Sequence, residues 1–86
     1  MRHAGQAALD ALEPLLARLR ALPGLTEKSR GVFYRKSKAF LHFHEDPAGL
    51  FADLRTVAAG DFERIDVTSA AGQERLIAMT MAELEA

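Results

Sequence analysis

The chain is organised around residues 38–55, which have the sequence KAFLHFHEDPAGLFADLR. The central segment, Asp46-Pro47-Ala48-Gly49, has Asp, Pro and Gly at the first, second and fourth positions, where a type I β-turn favours them. On both sides of this turn, apolar residues alternate with other residues, as in a half-buried strand. The sequence therefore predicts two antiparallel strands, Lys38–Glu45 and Leu50–Arg55, joined by a tight turn.

The turn also predicts the register of these two strands. If Asp46 pairs with Gly49, then Leu41 faces Leu54 and one side of the sheet becomes continuous. The residues on that side are then Leu41, Phe43, Leu50, Ala52 and Leu54, all of them apolar. A slip of one residue would place Leu41 opposite Asp53 and scatter the apolar residues over both sides. The hydrophobic pattern and the turn therefore favour the same register.

The opposite face of the predicted sheet combines aromatic and charged side chains. The register pairs His42 with Asp53, and a fourth strand adds Phe62 and Arg64. The predicted ligand or interface face comprises Phe40, His42, His44, Phe51, Asp53, Arg55, Phe62 and Arg64. An apolar patch on an exposed surface usually marks a partner or ligand site. The ordinary alternative is that loops, a terminus or an offset helix cover this face, and that its charged residues form cross-strand pairs.

The segment before the hairpin predicts a helix. Leucines recur at helical spacing over residues 7–22. Pro14 either begins the strong part of this helix or kinks it, because proline is tolerated only in the first turn. Pro23-Gly24 ends the helix, and residues 25–29 are expected to form a loop.

Two further strands and a second helix complete the prediction. Arg30–Arg35 and Phe62–Val67 have the aromatic and β-branched composition of strands, and Lys36–Lys38 is a turn of undecided length. Thr68 or Ser69 caps the C-terminal helix.

The predicted fold class is α+β. The element order is α-β-β-β-β-α, with a four-stranded antiparallel meander sheet and two helices packed on one face. The whole chain, residues 1–86, is expected to form a single domain. The predicted core consists of Leu12, Leu16, Leu19, Leu41, Phe43, Ala52, Leu54, Ile65, Val67, Ile77 and Leu84.

The composition excludes several kinds of functional site. The chain has no cysteine, which excludes disulfides, thiolate metal sites and cysteine catalysis. It has no apolar run long enough for a membrane span and no signal-peptide pattern, so we expect no membrane partner and a cytoplasmic location. Residues 1–44 carry eight Lys/Arg and three Asp/Glu, whereas residues 45–86 carry three Lys/Arg and nine Asp/Glu.

The leading functional hypothesis is a non-enzymatic binding or interaction module, forming a homodimer through the predicted ligand or interface face. No nucleophile elbow, P-loop or dinucleotide glycine pattern occurs, and no nucleophile is expected beside His42. The sequence therefore favours a protein without enzyme activity.

A metal or small-ligand site is the alternative. His42 and His44 point the same way on one strand, about 6.6 Å apart at Cα, and Asp53 would supply a carboxylate, so a divalent metal is the cofactor to consider. Without a metal, a His42–Asp53 pair is expected to raise the pKa of the histidine.

Nucleic-acid binding through Lys28–Lys38 is a further alternative. The segment is basic, but it contains no recognition motif, and the chain is near neutrality overall. The charge pattern therefore gives this hypothesis less support than the other two.

Three segments of the chain carry a family resemblance. Gly31-Val32-Phe33-Tyr34, residues 40–46 and residues 49–54 resemble small uncharacterised bacterial α+β domains labelled luciferase-domain-like, which have a His-x-His strand followed by a strand ending in Ala-Asp. The helix ending in Leu-Pro-Gly, the meander and the terminal helix are also similar to the MmcQ/YjbR-like family. The resemblance implies an α+β fold and no established activity. DNA binding, suggested for the second family, would fall on Arg30–Lys38.

Overall fold

One sheet and three helices make up the fold, in a computed structural model that describes residues 1–86. In chain order the elements are β1 (Arg2–His3), α1 (Gln6–Ala11), α2 (Glu13–Arg20), β2 (Thr26–Ser29), β3 (Val32–Arg35), β4 (Lys38–Asp46), β5 (Gly49–Arg55), β6 (Phe62–Asp66) and α3 (Ala70–Glu85). The predicted α+β class is confirmed.

The sheet is antiparallel throughout and has β4 at its centre. The strand order is β2-β3-β4-β5-β6, and β1 also pairs with β4. The nine-residue strand β4 pairs with β3 through its first part and with β1 through its last part. The predicted meander from β3 to β6 is therefore present, but the sheet has six strands instead of four.

The predicted register of the central hairpin is confirmed. Asp46 pairs with Gly49, Leu41 with Leu54, and His42 with Asp53. The backbone N–H of Ala48 donates to the Asp46 carboxylate at 3.0 Å, which is the local bond that an Asp at the first turn position makes.

The two additional strands are short and polar, which explains why the sequence pattern does not reveal them. The segment from Thr26 to Ser29 was expected to be a loop, but it pairs with β3 at the edge of the sheet. Strand β1 comprises only Arg2 and His3. Both strands depend on a neighbour's backbone groups, and neither has the apolar alternation that marks a strand in sequence.

The N-terminal helix is divided into α1 and α2 at Leu12. Pro14 lies in the first turn of α2, where its missing N–H costs no internal hydrogen bond. The prediction of two helices is therefore corrected to three. None of the helices is long and apolar enough to cross a membrane.

The core lies between the three helices and one face of the sheet. Every predicted core residue is buried except Leu84, which is partly buried against the same cluster. Leu15, Phe33, Phe40 and Leu76 complete the core.

Phe40 was predicted on the ligand or interface face, but it lies in the core. The ladder between β3 and β4 shifts at this point, pairing Phe33 with Leu41 and Tyr34 with Ala39, so that Phe40 is the extra residue. A bulge of this kind breaks the strict alternation of faces. Phe40 is only 4% exposed and belongs to the hydrophobic core.

Helix α3 begins in close contact with the end of β6. Ser69 caps it by accepting a hydrogen bond from the N–H of Gly72 at 3.1 Å. A Cβ atom at position 72 would lie 2.1 Å from the carbonyl oxygen of Asp66. Gly72 therefore permits a close backbone approach, although glycine is a poor helix former.

We expect Gly72→Ala to lower the free energy of unfolding by about 1 kcal/mol or more. Displacing the Asp66 backbone destabilises the fold by more than the higher helix propensity of alanine stabilises it. Denaturant unfolding measures this. The exposed helical position Ala78→Gly serves as the control for the ordinary cost of glycine, about 1 kcal/mol. A stabilised Gly72→Ala variant would contradict the close approach.

Candidate functional site

Three potential metal ligands converge on the outer face, which is the sheet face opposite the core. His42 and His44 alternate with core residues on β4, and the register places Asp53 of β5 directly opposite His42. Their ligand atoms all lie within 4.8 Å of one another. The structure therefore brings together the three residues that the sequence predicts as a metal set.

The two histidines approach the same oxygen atom. Nε2 of His42 lies 3.4 Å from Oδ2 of Asp53, and Nε2 of His44 lies 3.2 Å from it. The Nε2 atom of His44 is buried and makes no hydrogen bond. A buried polar atom without a partner is costly, so this atom is the unsatisfied part of the cluster.

Arg64 on β6 fixes the carboxylate of Asp53. Its Nε and one terminal nitrogen donate to the two carboxylate oxygens, each at 2.8 Å. Burial would raise the pKa of Asp53, but the hydrogen bonds and charge of Arg64, with the nearby histidines, outweigh it and hold the pKa below its usual value. Asp53 is therefore ionised and held in one orientation.

His42 does not behave as its pairing with Asp53 predicts. Burial lowers the pKa of His42, and this effect exceeds the attraction of the Asp53 carboxylate, while His44 and His3 also oppose a positive charge. The expected raised pKa is thus wrong in direction. A lowered pKa favours neutral imidazole, which is the form that ligates metals.

His3 lies against the cluster, and sequence reasoning did not predict it there. Strand β1 pairs His3 with His44, and the two rings stack with centroids 4.7 Å apart. The His3 and His42 rings are 5.9 Å apart. Only a tertiary contact brings this terminal histidine here, since the two-residue strand carries no sequence signal.

The remaining predicted face residues surround the cluster. The ring of Phe62 meets that of His42 edge-on at 4.8 Å, and the guanidinium of Arg55 lies 4.5 Å from the Phe62 ring centroid. Phe51 pairs with His44 and is half-buried. The face is thus less apolar than predicted, because Phe40 lies in the core and the Phe62 ring packs against His42 and Arg55.

Two of the three ligand separations suit a tetrahedral metal site. Bonds of about 2.0–2.1 Å place two ligands of a tetrahedron about 3.3–3.4 Å apart. The separations of 3.4 and 3.2 Å from Asp53 Oδ2 to the two Nε2 atoms agree with this spacing. Arg64 also holds the Asp53 carboxylate in one orientation, as residues behind a metal ligand commonly do.

The basic side chains of Lys28–Lys38 have different surroundings. Arg30 donates to Asp10 and Glu13, both at 2.7 Å, so its charge is compensated within the chain. The Lys28 ammonium lies 4.6 Å from the ring centroid of Tyr34.

A scan against protein-family models, a search of curated proteins and a search of solved structures each found no match to this chain. The resemblance to luciferase-domain-like and MmcQ/YjbR-like domains therefore stays a prediction. The fold and the cluster define a class by geometry: a small α+β protein with a histidine–carboxylate cluster on the outer face of its sheet.

We expect the metal-free protein to lose stability as the pH falls from about 7.5 to about 5.5. Because the pKa of His42 is lowered on folding, the unfolded chain binds more protons in this range, and acidification favours unfolding. The contribution of one group cannot exceed about 1.4 kcal/mol per pH unit. Denaturant unfolding with a chelator present measures the slope.

The matched variant for this prediction is His42→Gln, which removes the titrating group and keeps a polar side chain of similar length. Its stability should depend less steeply on pH than that of the native chain. An equal slope in both proteins, or a native protein that gains stability on acidification, would contradict the lowered pKa of His42.

Proposed function

We propose that this chain is a non-enzymatic binding module that holds one divalent transition-metal ion through His42, His44 and Asp53. The single observation that carries the proposal is the convergence of two imidazole nitrogens on one carboxylate oxygen at tetrahedral spacing. Imidazole and carboxylate ligands suit zinc, nickel and copper better than magnesium or calcium. Three protein ligands leave a further coordination position for water, a small ligand or a partner.

Rigidity of the site supports the proposal. All three ligands lie on the two strands that share the longest ladder of the sheet, which has no register shift. A site on paired strands keeps its geometry without help from a loop. The unsatisfied Nε2 of His44 gains a partner when a cation binds, and Arg64 already orients the Asp53 carboxylate through its hydrogen bonds.

We expect Zn²⁺ to raise the melting temperature of the native protein by about 10–20 °C when the free ion is at a hundredfold excess over Kd. Binding at that excess contributes about 2.7 kcal/mol, and each kcal/mol is about 4–8 °C for a domain of this size. Thermal unfolding followed by circular dichroism measures the shift, and calorimetric titration measures the stoichiometry.

Variants define the ligand set in the same experiment. His42→Ala and Asp53→Asn should each abolish most of the shift, whereas the matched histidine control, His3→Gln, should retain it, because His3 lies outside the converging set. No shift in the native protein at millimolar metal, or an equal shift in His42→Ala, would contradict the proposal.

We also propose that the outer face pairs with a second copy of the chain. The helices contribute to the core on the other side of the sheet, and half-buried Phe51 lies on the outer face beside the cluster. Aromatic residues at the centre of a patch are the usual anchors of an interface. A two-fold arrangement would bring two metal clusters near each other. A cytosolic setting belongs to this proposal, since a chain without cysteine needs no oxidising compartment to form disulfides.

For the dimer, we expect a mass that depends on concentration, and a dissociation constant that rises about tenfold or more in Phe51→Asp, because a buried carboxylate without a partner is costly. Sedimentation equilibrium measures both. The control is Met81→Asp, a 44% exposed apolar residue on α3. A native protein that is monomeric at high micromolar concentration would overturn the dimer without affecting the metal site.

A further inference from the structure

A second site of different chemistry lies at the opposite end of β4 from the histidines. It is a cleft of about 490 Å³ between the β3–β4 turn, the loop after β5 and the end of α3. Its side chains include Arg35, Lys36, Lys38 and Arg55, with Glu83 as the one acidic side chain. The volume falls within the range of small-molecule sites, about 300–1,000 Å³.

Three of the four cations of this cleft are unusual within the chain because they have no carboxylate within 4.0 Å. Among the eleven Lys and Arg side chains, six have a carboxylate within 4.0 Å, and Arg55 has the most distant of these, Asp61 at 3.5 Å. Three of the remaining five, Arg35, Lys36 and Lys38, line the cleft. Uncompensated charge is therefore concentrated at this one place.

Backbone carbonyl groups position the two guanidinium groups. Arg35 donates to the carbonyls of Glu83 and Leu84 at 2.8 and 3.2 Å, and Nε of Arg55 donates to that of Ala39 at 2.8 Å. These bonds orient both groups and leave the charge of Arg35 uncompensated, whereas Arg55 also has the Asp61 carboxylate at 3.5 Å. The Glu83 carboxylate accepts the N–H of Val57 at 3.0 Å, so one of its oxygens is engaged by the loop.

The turn that carries Lys36 and leads into Lys38 is held in a strained conformation. Lys36 and Ser37 have φ angles of 52° and 67°, and they are the only residues other than glycine with positive φ in the structure. A two-residue hairpin turn of this geometry strongly favours Asn-Gly. Strain of this kind often accompanies a binding function, and here it places Lys36 and Lys38 beside the cleft.

We propose that this cleft binds a small phosphorylated organic molecule. A phosphate monoester carries close to two negative charges and three acceptor oxygens, which matches several converging cations better than a single carboxylate does. The 80% exposed Val57 provides apolar surface for the organic part of the ligand. The site is separate from the histidine cluster and does not depend on a metal.

The test is an NMR titration of the isotope-labelled full chain in the presence of a chelator. The probes are adenosine 5′-monophosphate, inorganic phosphate and adenosine. We expect the mononucleotide to shift the amide signals of residues 35–38 and 56–60, phosphate to do so more weakly, and adenosine to have no effect. Added salt should weaken binding, since the contacts are ionic.

Variants separate a built site from general charge attraction. The double variant Lys36→Gln/Lys38→Gln, which changes two exposed side chains, should weaken mononucleotide binding about tenfold or more. Arg75→Gln removes an equally unpaired cation elsewhere and should leave the affinity within about twofold. His42→Ala should also leave it unchanged, which distinguishes this site from the metal proposal.

Three outcomes would overturn the inference. The first is the absence of shifts at residues 35–38 with millimolar mononucleotide. The second is an equal loss of affinity in Arg75→Gln and the double lysine variant. The third is that a single-stranded oligonucleotide binds far more tightly than the mononucleotide and shifts Lys28 as well, which would assign the basic residues to nucleic acid instead.

Discussion

The pairing of β4 with β5 in a single register is the constraint on which both faces of the molecule depend. Strand residues alternate between faces, so the register that buries Leu41 and Phe43 also places His42 and His44 together opposite the core. The same pairing aligns Asp53 with His42. A slip of one residue would expose the core and separate the cluster at once, so the stability of the fold and the geometry of the site have one common origin.

Much of this arrangement follows from short-range sequence information. The Asp46–Gly49 turn and the apolar alternation on either side predict the hairpin, its register and the proximity of Asp53 to both histidines. The predicted cap at Thr68 or Ser69 locates the start of α3, and Ser69 provides it, because capping is a local interaction. Pro14 predicts a disturbance in the N-terminal helix, and the structure resolves it as a break at Leu12. Each of these features is determined by residues close together in the chain.

The features that the sequence does not predict depend on distant contacts. Strands β1 and β2 form because β4 and β3 offer free backbone groups, and this brings His3 onto His44. The bulge at Phe40 moves that ring into the core, which no periodicity reveals. The pKa of His42 depends on how much neighbouring side chains bury the ring, a quantity that a pairing diagram does not contain.

The two ends of β4 thus carry different chemistry: a histidine–carboxylate cluster near β1, and an uncompensated cationic cleft near the β3–β4 turn. Crystals grown with zinc test most directly whether the cluster holds the proposed metal ion. An anomalous-difference map at the zinc edge should show one peak about 2.0–2.1 Å from Nε2 of His42, Nε2 of His44 and Oδ2 of Asp53. A map with no peak at this position, or with zinc bound only by other residues, would contradict the account.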